Sequence, residues 1–141
     1  MNRRGFTLIE MFIVIAVMGI LASLALIKSA QYRSRALRTT MVSDLKNLIS
    51  AQEAFNIQNH DYAGGTTLGA ELPGTGGSGQ ATFRASGGNQ VTVIYQGTDG
   101  WTATVTNSGL TDAPQSCGVF IGPVSYSPNA NVFYEGQPGC W

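Results

Sequence analysis

From Phe6 to Ile27 the chain is almost uninterrupted apolar sequence, 22 residues in which Glu10 is the sole ionisable side chain. As an α-helix rising about 1.5 Å per residue, that run spans the roughly 30 Å hydrocarbon core of a bilayer. Beyond Lys28 the composition switches but the helical pattern continues. Leu37, Met41, Leu45, Leu48 and Phe55 recur at spacings of 4, 4, 3 and 7, with Val42 and Ile49 alongside, which is the stripe of an amphipathic helix. No proline or glycine falls between residues 20 and 63. The pattern predicts one helix from about Phe6 to about Asn59, apolar all round in its first half and one-sided in its second.

After His60-Asp61-Tyr62 the pattern is lost. Gly64, Gly65, Gly69, Gly74, Gly76, Gly77 and Gly79 mark a long irregular connection, and no lysine and helix come after them as a phosphate-binding loop requires. Alternation then returns: Gln90 to Gln96 places Val91, Val93 and Tyr95 on one face, and Trp101 to Asn107 places Trp101, Ala103 and Val105 on one face. Gly97-Thr98-Asp99-Gly100 between them is a turn sequence, so a hairpin is predicted. Gly118 to Ile121 and Asn131 to Tyr134 are shorter strand candidates, with Ala81 to Ala85 as another. An antiparallel sheet packed on the amphipathic half of the helix buries both apolar faces, which makes the expected class α+β.

Charge divides the chain further. Lys28, Arg33, Arg35, Arg38 and Lys46 sit on the predicted helix with only Asp44 opposing them before Ser50, whereas Asp61, Glu71, Asp99, Asp112 and Glu135 face Arg84 alone in the head. The basic cluster reads as the solvated face of a helix just outside the membrane, not as a nucleic-acid site, and no specific nucleic-acid partner is expected. The asymmetry suits contact between copies, the helix arginines pairing with acids of a neighbour at about 0–1 kcal/mol each.

The start of the chain carries its most specific signal. A carboxylate near the centre of a bilayer costs roughly 3 kcal/mol and calls for a partner; Glu10, one turn inside the run, costs less but still needs one. Met1-Asn2-Arg3-Arg4-Gly5 is short and basic and should stay on the cytoplasmic side, placing the head outside. A cation on an adjacent helix could neutralise the Glu10 carboxylate, each charge offsetting the desolvation of the other. Two other readings compete. One is an ordinary anchor with an interfacial acid. The other is a secretory signal peptide cut near Ser23-Leu24-Ala25, against which stands the uncharged run of 17 residues from Met11 to Ile27.

Gly5-Phe6-Thr7-Leu8-Ile9-Glu10, followed by Met11-Phe12-Ile13-Val14-Ile15-Ala16-Val17-Met18-Gly19-Ile20-Leu21-Ala22, closely resembles the class III signal of type IV pilins and type II secretion pseudopilins. The resemblance implies a leader (1–5) removed by a prepilin peptidase after Gly5, methylation of the new terminus at Phe6, and Glu10 meeting the N-terminal amine of a neighbouring subunit. It further implies a membrane-spanning and filament-core helix (6–27), an amphipathic helix half (28–60) and a β-sheet head (61–141). The partners implied are identical subunits in a helical homopolymer, the peptidase and a pilus assembly platform. The subunit would rest in the bacterial inner membrane as a single-pass protein before joining an extracellular pilus. Many pilins carry a proline where this chain has Leu24 to Ile27, so a more continuous helix is expected here, softest near Gly19 and Ser23.

Cys117 and Cys140 are the two cysteines, and they bracket a segment containing Pro123, Pro128 and Pro138. An even count in an extracytoplasmic region argues for a disulfide, and pilins often close a C-terminal loop this way. A metal or redox role lacks both a CxxC spacing and a companion histidine. With His60 the lone histidine, at the expected helix end, neither a nucleophilic triad nor a His-rich metal motif assembles, so no catalytic residue, metal ligand or cofactor is expected. Major pseudopilins typically hold calcium with clustered C-terminal acids, yet residues 118–141 contain only Glu135. A pilin, and a major one, is therefore expected ahead of a pseudopilin.

Overall fold

The computed structural model describes residues 5–67, 72–73, 80–81 and 83–141. Its contacts divide the chain into two compact units, Met1–Arg35 and Ala36–Trp141. One helix, α1 (Leu8–Asn59), provides the regular structure of the first and opens the second. The helical backbone continues without a break through Gly19, Ser23 and residues 24–27, with the Ser23 hydroxyl bonded to the Ile20 carbonyl at 2.8 Å.

In the first unit the described apolar side chains stand in the open. Phe6, Leu8, Ile9, Phe12, Ile13, Ile15, Ile20 and Leu21 are all more than half exposed, on every side of the helix. A helix apolar all round requires an apolar surrounding. Among the described residues, no helical stretch is both long and apolar enough to be assigned as a membrane span.

The second unit is α+β. Five antiparallel strands run in the order β1 (Gly65–Thr67), β4 (Asn89–Tyr95), β5 (Trp101–Asn107), β6 (Ser116–Ile121) and β7 (Gly139–Cys140). Two short segments, β2 (Leu72–Pro73) and β3 (Gln80–Ala81), pair separately. Met41, Leu45, Leu48 and Phe55 of α1 pack with Val91, Val93, Trp101, Ala103, Val105 and Val119 in one core, with Leu37, Val42 and Ile49 at its margin. The predicted hairpin forms in the register Tyr95↔Trp101 to Asn89↔Asn107. Its turn needs Gly97, at φ +112°, and also Gly100, where a Cβ would run into the Ile121 carbonyl.

Polar residues fasten the helix to the head. Gln52 is fully buried, its amide nitrogen bonded to the Ala63 carbonyl at 2.6 Å and its amide oxygen to the Ala63 N–H at 2.9 Å. The chain can turn back there because His60 adopts φ +53° and its N–H closes the last helical turn on Asn56 at 2.8 Å. Asp44, the one acid among the helix's basic residues before Ser50, is buried: it accepts from the Ser86 N–H (2.9 Å), the Ser86 hydroxyl (2.7 Å) and the Asn89 amide (2.7 Å). Asn89 in turn accepts from Asn107 at 2.6 Å.

Three expectations need correction. Asn131 to Tyr134 is not a strand; the Asn129 side chain accepts from the Asn131 N–H and the Asn129 carbonyl from Val132, which curls the segment into a turn. The fifth strand is Gly139–Cys140 instead, held on β6 by pairing and by Trp141, whose N–H bonds Ser116 at 2.9 Å. The candidate Ala81 to Ala85 reduces to Gln80–Ala81, with 82 outside the described residues and Phe83 and Ala85 buried without strand pairing. Within the glycine-rich stretch, Gly65–Thr67 joins the sheet against Val91–Val93, while 68–71 and 74–79 lie outside the described residues.

Candidate processing and assembly site at the helix N-terminus

Gly5, Phe6 and Thr7 precede α1 in non-helical, exposed backbone, and Phe6 is 81% exposed. Among the described residues, nothing buries the residues on either side of the Gly5–Phe6 bond. Residues 1–4 of the expected leader lie outside the described residues.

One turn further on, Glu10 closes the helix end. Its Oε2 accepts from both the Thr7 N–H and the Thr7 hydroxyl at 2.8 Å, and the Thr7 oxygen faces the Glu10 N–H at 3.4 Å. Thr7-Leu8-Ile9-Glu10 is thus a capping box, in which first-turn donors are satisfied reciprocally. The carboxylate also lies at the positive end of the helix dipole. Glu10, read from sequence as an acid in need of a partner, has one in its own chain. Oε1 of the exposed Glu10 makes no hydrogen bond among the described residues. The T-x-x-E spacing ahead of an apolar run was the signal for Thr7, and attention to the carboxylate's charge alone passes over it.

At the other end, Cys117 and Cys140 face each other across β6 and β7 and form the disulfide. It closes residues 118–139 into a loop pinned on the sheet by further bonds, Gly122 N–H to Glu135 Oε1 at 2.7 Å and Gly136 N–H to the Phe120 carbonyl at 2.9 Å. The basic face corrects one expectation. Arg38, offered as a contact to a neighbour, pairs with Asp112 in its own chain at 3.0 Å and donates to the carbonyls of Asp112, Ala113 and Pro114 at 2.9–3.0 Å. It clamps the β5–β6 connection to α1.

A family model for the prokaryotic N-terminal methylation motif matches residues 1–26. The chain is 38% identical over 62 residues to the type IV major pilin protein PilA of Myxococcus xanthus, covering 44% of this chain and 28% of that protein. It is 41% identical over 61 residues to the type II secretion system core protein G of Klebsiella michiganensis, covering 43% of each. Against a fimbrial protein of Pseudomonas aeruginosa it is 28% identical over 142 aligned positions, covering 90% of this chain and 92% of that protein. The chain thus spans between about a quarter and a half of the length of the first two relatives and nearly all of the third. With the methylation motif at its start, a capped apolar helix behind it and a helix-backed antiparallel sheet, the chain is similar to type IV pilins and type II secretion pseudopilins.

Proposed function

We propose that this chain is a major subunit of a type IV pilus. It is made as a single-pass inner-membrane precursor, cut after Gly5 by a prepilin peptidase and N-methylated at Phe6, leaving 6–27 as the membrane and filament-core helix, 28–60 as the amphipathic half and 61–141 as the head. Subunits then leave the bilayer through a pilus assembly platform and pack by their apolar helices into an extracellular homopolymer. The apolar side chains exposed around the first unit are exchanged from lipid to neighbouring helices, which keeps them out of water at both stages. During that exchange Oε1 of Glu10 receives the N-terminal amine of a neighbour while Oε2 stays on Thr7.

The observation that carries the pilin over the pseudopilin is the C-terminal loop. It is closed by Cys117–Cys140, and its single carboxylate, Glu135, is spent on the Gly122 N–H. Similarity along nearly the whole length of a fimbrial protein points the same way. The pseudopilin reading rests on the 41% identity to core protein G over 61 residues.

Mass spectrometry of filaments sheared from the cell surface tests the proposal. It expects an abundant protein of 136 residues (141 less the five of the leader), starting at methylated Phe6 and two hydrogens lighter than the reduced chain. Absence from surface filaments, with retention in the membrane and a secretion defect on deletion, would establish the pseudopilin instead.

A further inference from the structure

On the outer face of the sheet the strand pattern assembles a groove. Val91, Val105 and Cys117 point into the core, so the preceding or following residues Gln90, Thr106 and Ser116 point the opposite way. They are also successive cross-strand partners, Gln90↔Thr106 and Thr106↔Ser116, and form a row across β4, β5 and β6. Gly88, Ser108 and Gln115 extend the row at the strand ends, around a cavity of about 460 Å³. That volume lies within the range of small-ligand sites, roughly 300–1,000 Å³.

The walls are held in place by bonds that occupy the Asn107 side chain and leave the other lining side chains unused. Asn107, also at the groove, donates to Asn89 at 2.6 Å and accepts from the Gly109 N–H at 2.8 Å. The Gln115 and Ser116 N–H groups both bond the Trp141 carbonyl, at 3.1 and 3.2 Å. Gly88, at φ +83°, leaves the end of the groove without a side chain. The side chains of Gln90, Thr106, Ser108, Gln115 and Ser116 make no hydrogen bond among the described residues.

The lining decides the class of ligand. No Lys, Arg or His is present to hold an anion, no Asp or Glu to hold a cation, and no aliphatic or aromatic residue to seat the apolar side chains of a peptide. Two free amides and three free hydroxyls supply donors and acceptors together, the complement of a polyol. We propose that this groove binds a neutral carbohydrate. Without an aromatic platform the affinity per site is weak, with Kd on the order of 1 mM, and repetition of the site on many copies would raise the avidity.

Saturation-transfer NMR tests this on the full chain in a detergent that has no sugar headgroup. The probes are the methyl glycosides of glucose, galactose and mannose, N-acetylglucosamine, glucose 6-phosphate and tetraglycine. At least one neutral sugar should receive saturation, and Thr106→Val with Gln115→Ala should weaken it about tenfold, the loss of one or two hydrogen bonds. Both positions border solvent, and an unchanged melting curve of the double variant confirms that the fold is intact. The proposal is overturned if no neutral sugar binds at about 10 mM, ten times the expected Kd. It is equally overturned if binding survives the double variant, or if glucose 6-phosphate or tetraglycine binds in preference.

Discussion

Asp44 carries the sharpest test of how the head is held on its helix. It is 2% exposed and accepts three hydrogen bonds, two from Ser86 and one from Asn89. Replacing it with alanine removes the acceptor but strands the donors unequally. Ser86 lies at the surface, so its N–H and hydroxyl regain water. Asn89 is 1% exposed, and the hydrogen it gives to Asp44 has no other acceptor among the described residues, its second hydrogen being directed at Thr40 at 3.3 Å. One orphaned buried donor at about 2 kcal/mol and two bonds recovered from water at about 0.5 kcal/mol each give a loss of about 3 kcal/mol. Asparagine is a different perturbation. Its oxygen can take the place of Oδ2 and keep the Ser86 and Asn89 N–H groups, while its nitrogen donates to the Ser86 hydroxyl, which rotates to accept.

Asp44→Asn should therefore cost less than about 1 kcal/mol where Asp44→Ala costs about 3 kcal/mol. For a unit of this size that is a fall in Tm of roughly 10–20 °C for alanine and of a few degrees for asparagine. Urea unfolding of the full chain in detergent, followed by fluorescence of the buried Trp101 with the disulfide kept oxidised, measures both. Far-UV circular dichroism would be blunted by the apolar half of α1. An alanine variant within about 1 kcal/mol of wild type would refute the orphaned-donor reasoning, and an asparagine variant as unstable as alanine would mean that the charge itself is what the site requires.

The same geometry sets the outcome of other perturbations. Glu10→Gln should insert in membranes as well as wild type but give few filaments, and Thr7→Val should lower filament yield while Thr7→Ser restores it; wild-type yield in both would remove the carboxylate from assembly. Cys117→Ser with Cys140→Ser should cost about 3.5 kcal/mol in urea unfolding, the chain-entropy value for a separation of 23 residues, and a loss under about 1 kcal/mol would contradict it. Gly100→Ala should destabilise the head more than an alanine placed at open Gly87, because the added carbon meets the Ile121 carbonyl backbone, which equal melting temperatures would disprove. At high pH, burial and then the Glu53 and Glu135 charges raise the pKa of the Tyr62 phenol, and the hydrogen bond to Asp61 with burial raises that of Tyr95. Each phenol keeps its proton better folded than unfolded, so stability is full below pH 10 and falls as pH rises through the folded values. Tyr62→Phe and Tyr95→Phe should flatten that alkaline decline in a Tm-against-pH series, and an unchanged slope would argue against it.

Periodicity made the helix and the hairpin legible, because there a repeating burial pattern and the local backbone preference agree. β1 and β7 were not legible. They are two or three residues long, and what makes them strands lies elsewhere in the chain: Val91–Val93 for the first, and Cys117 with the Ser116–Trp141 bonds for the second. The site divides in the same way. Gly5, Phe6 and Glu10 stand out as a linear motif, while the Asp44 network joins residues 42 to 45 positions apart and no local pattern forecasts it.

The buried stripe of α1 nevertheless contained a clue. Met41, Asp44, Leu45, Leu48, Gln52 and Phe55 share one face, so two of its positions are polar. A polar side chain on a core-facing stripe either finds partners across the interface or costs about 1–3 kcal/mol, and in both cases it predicts a specific acceptor or donor opposite. An apolar stripe alone tolerates sliding and rotation, since many packings bury similar area. Asp44 and Gln52, about two turns apart, each accept only one placement, against Ser86 and Asn89 for the first and Ala63 for the second. Two such points on one helix face fix both its rotation and its axial position against the sheet. The head is then presented in a single register to whatever it packs against, which is the property a subunit repeated along a filament requires.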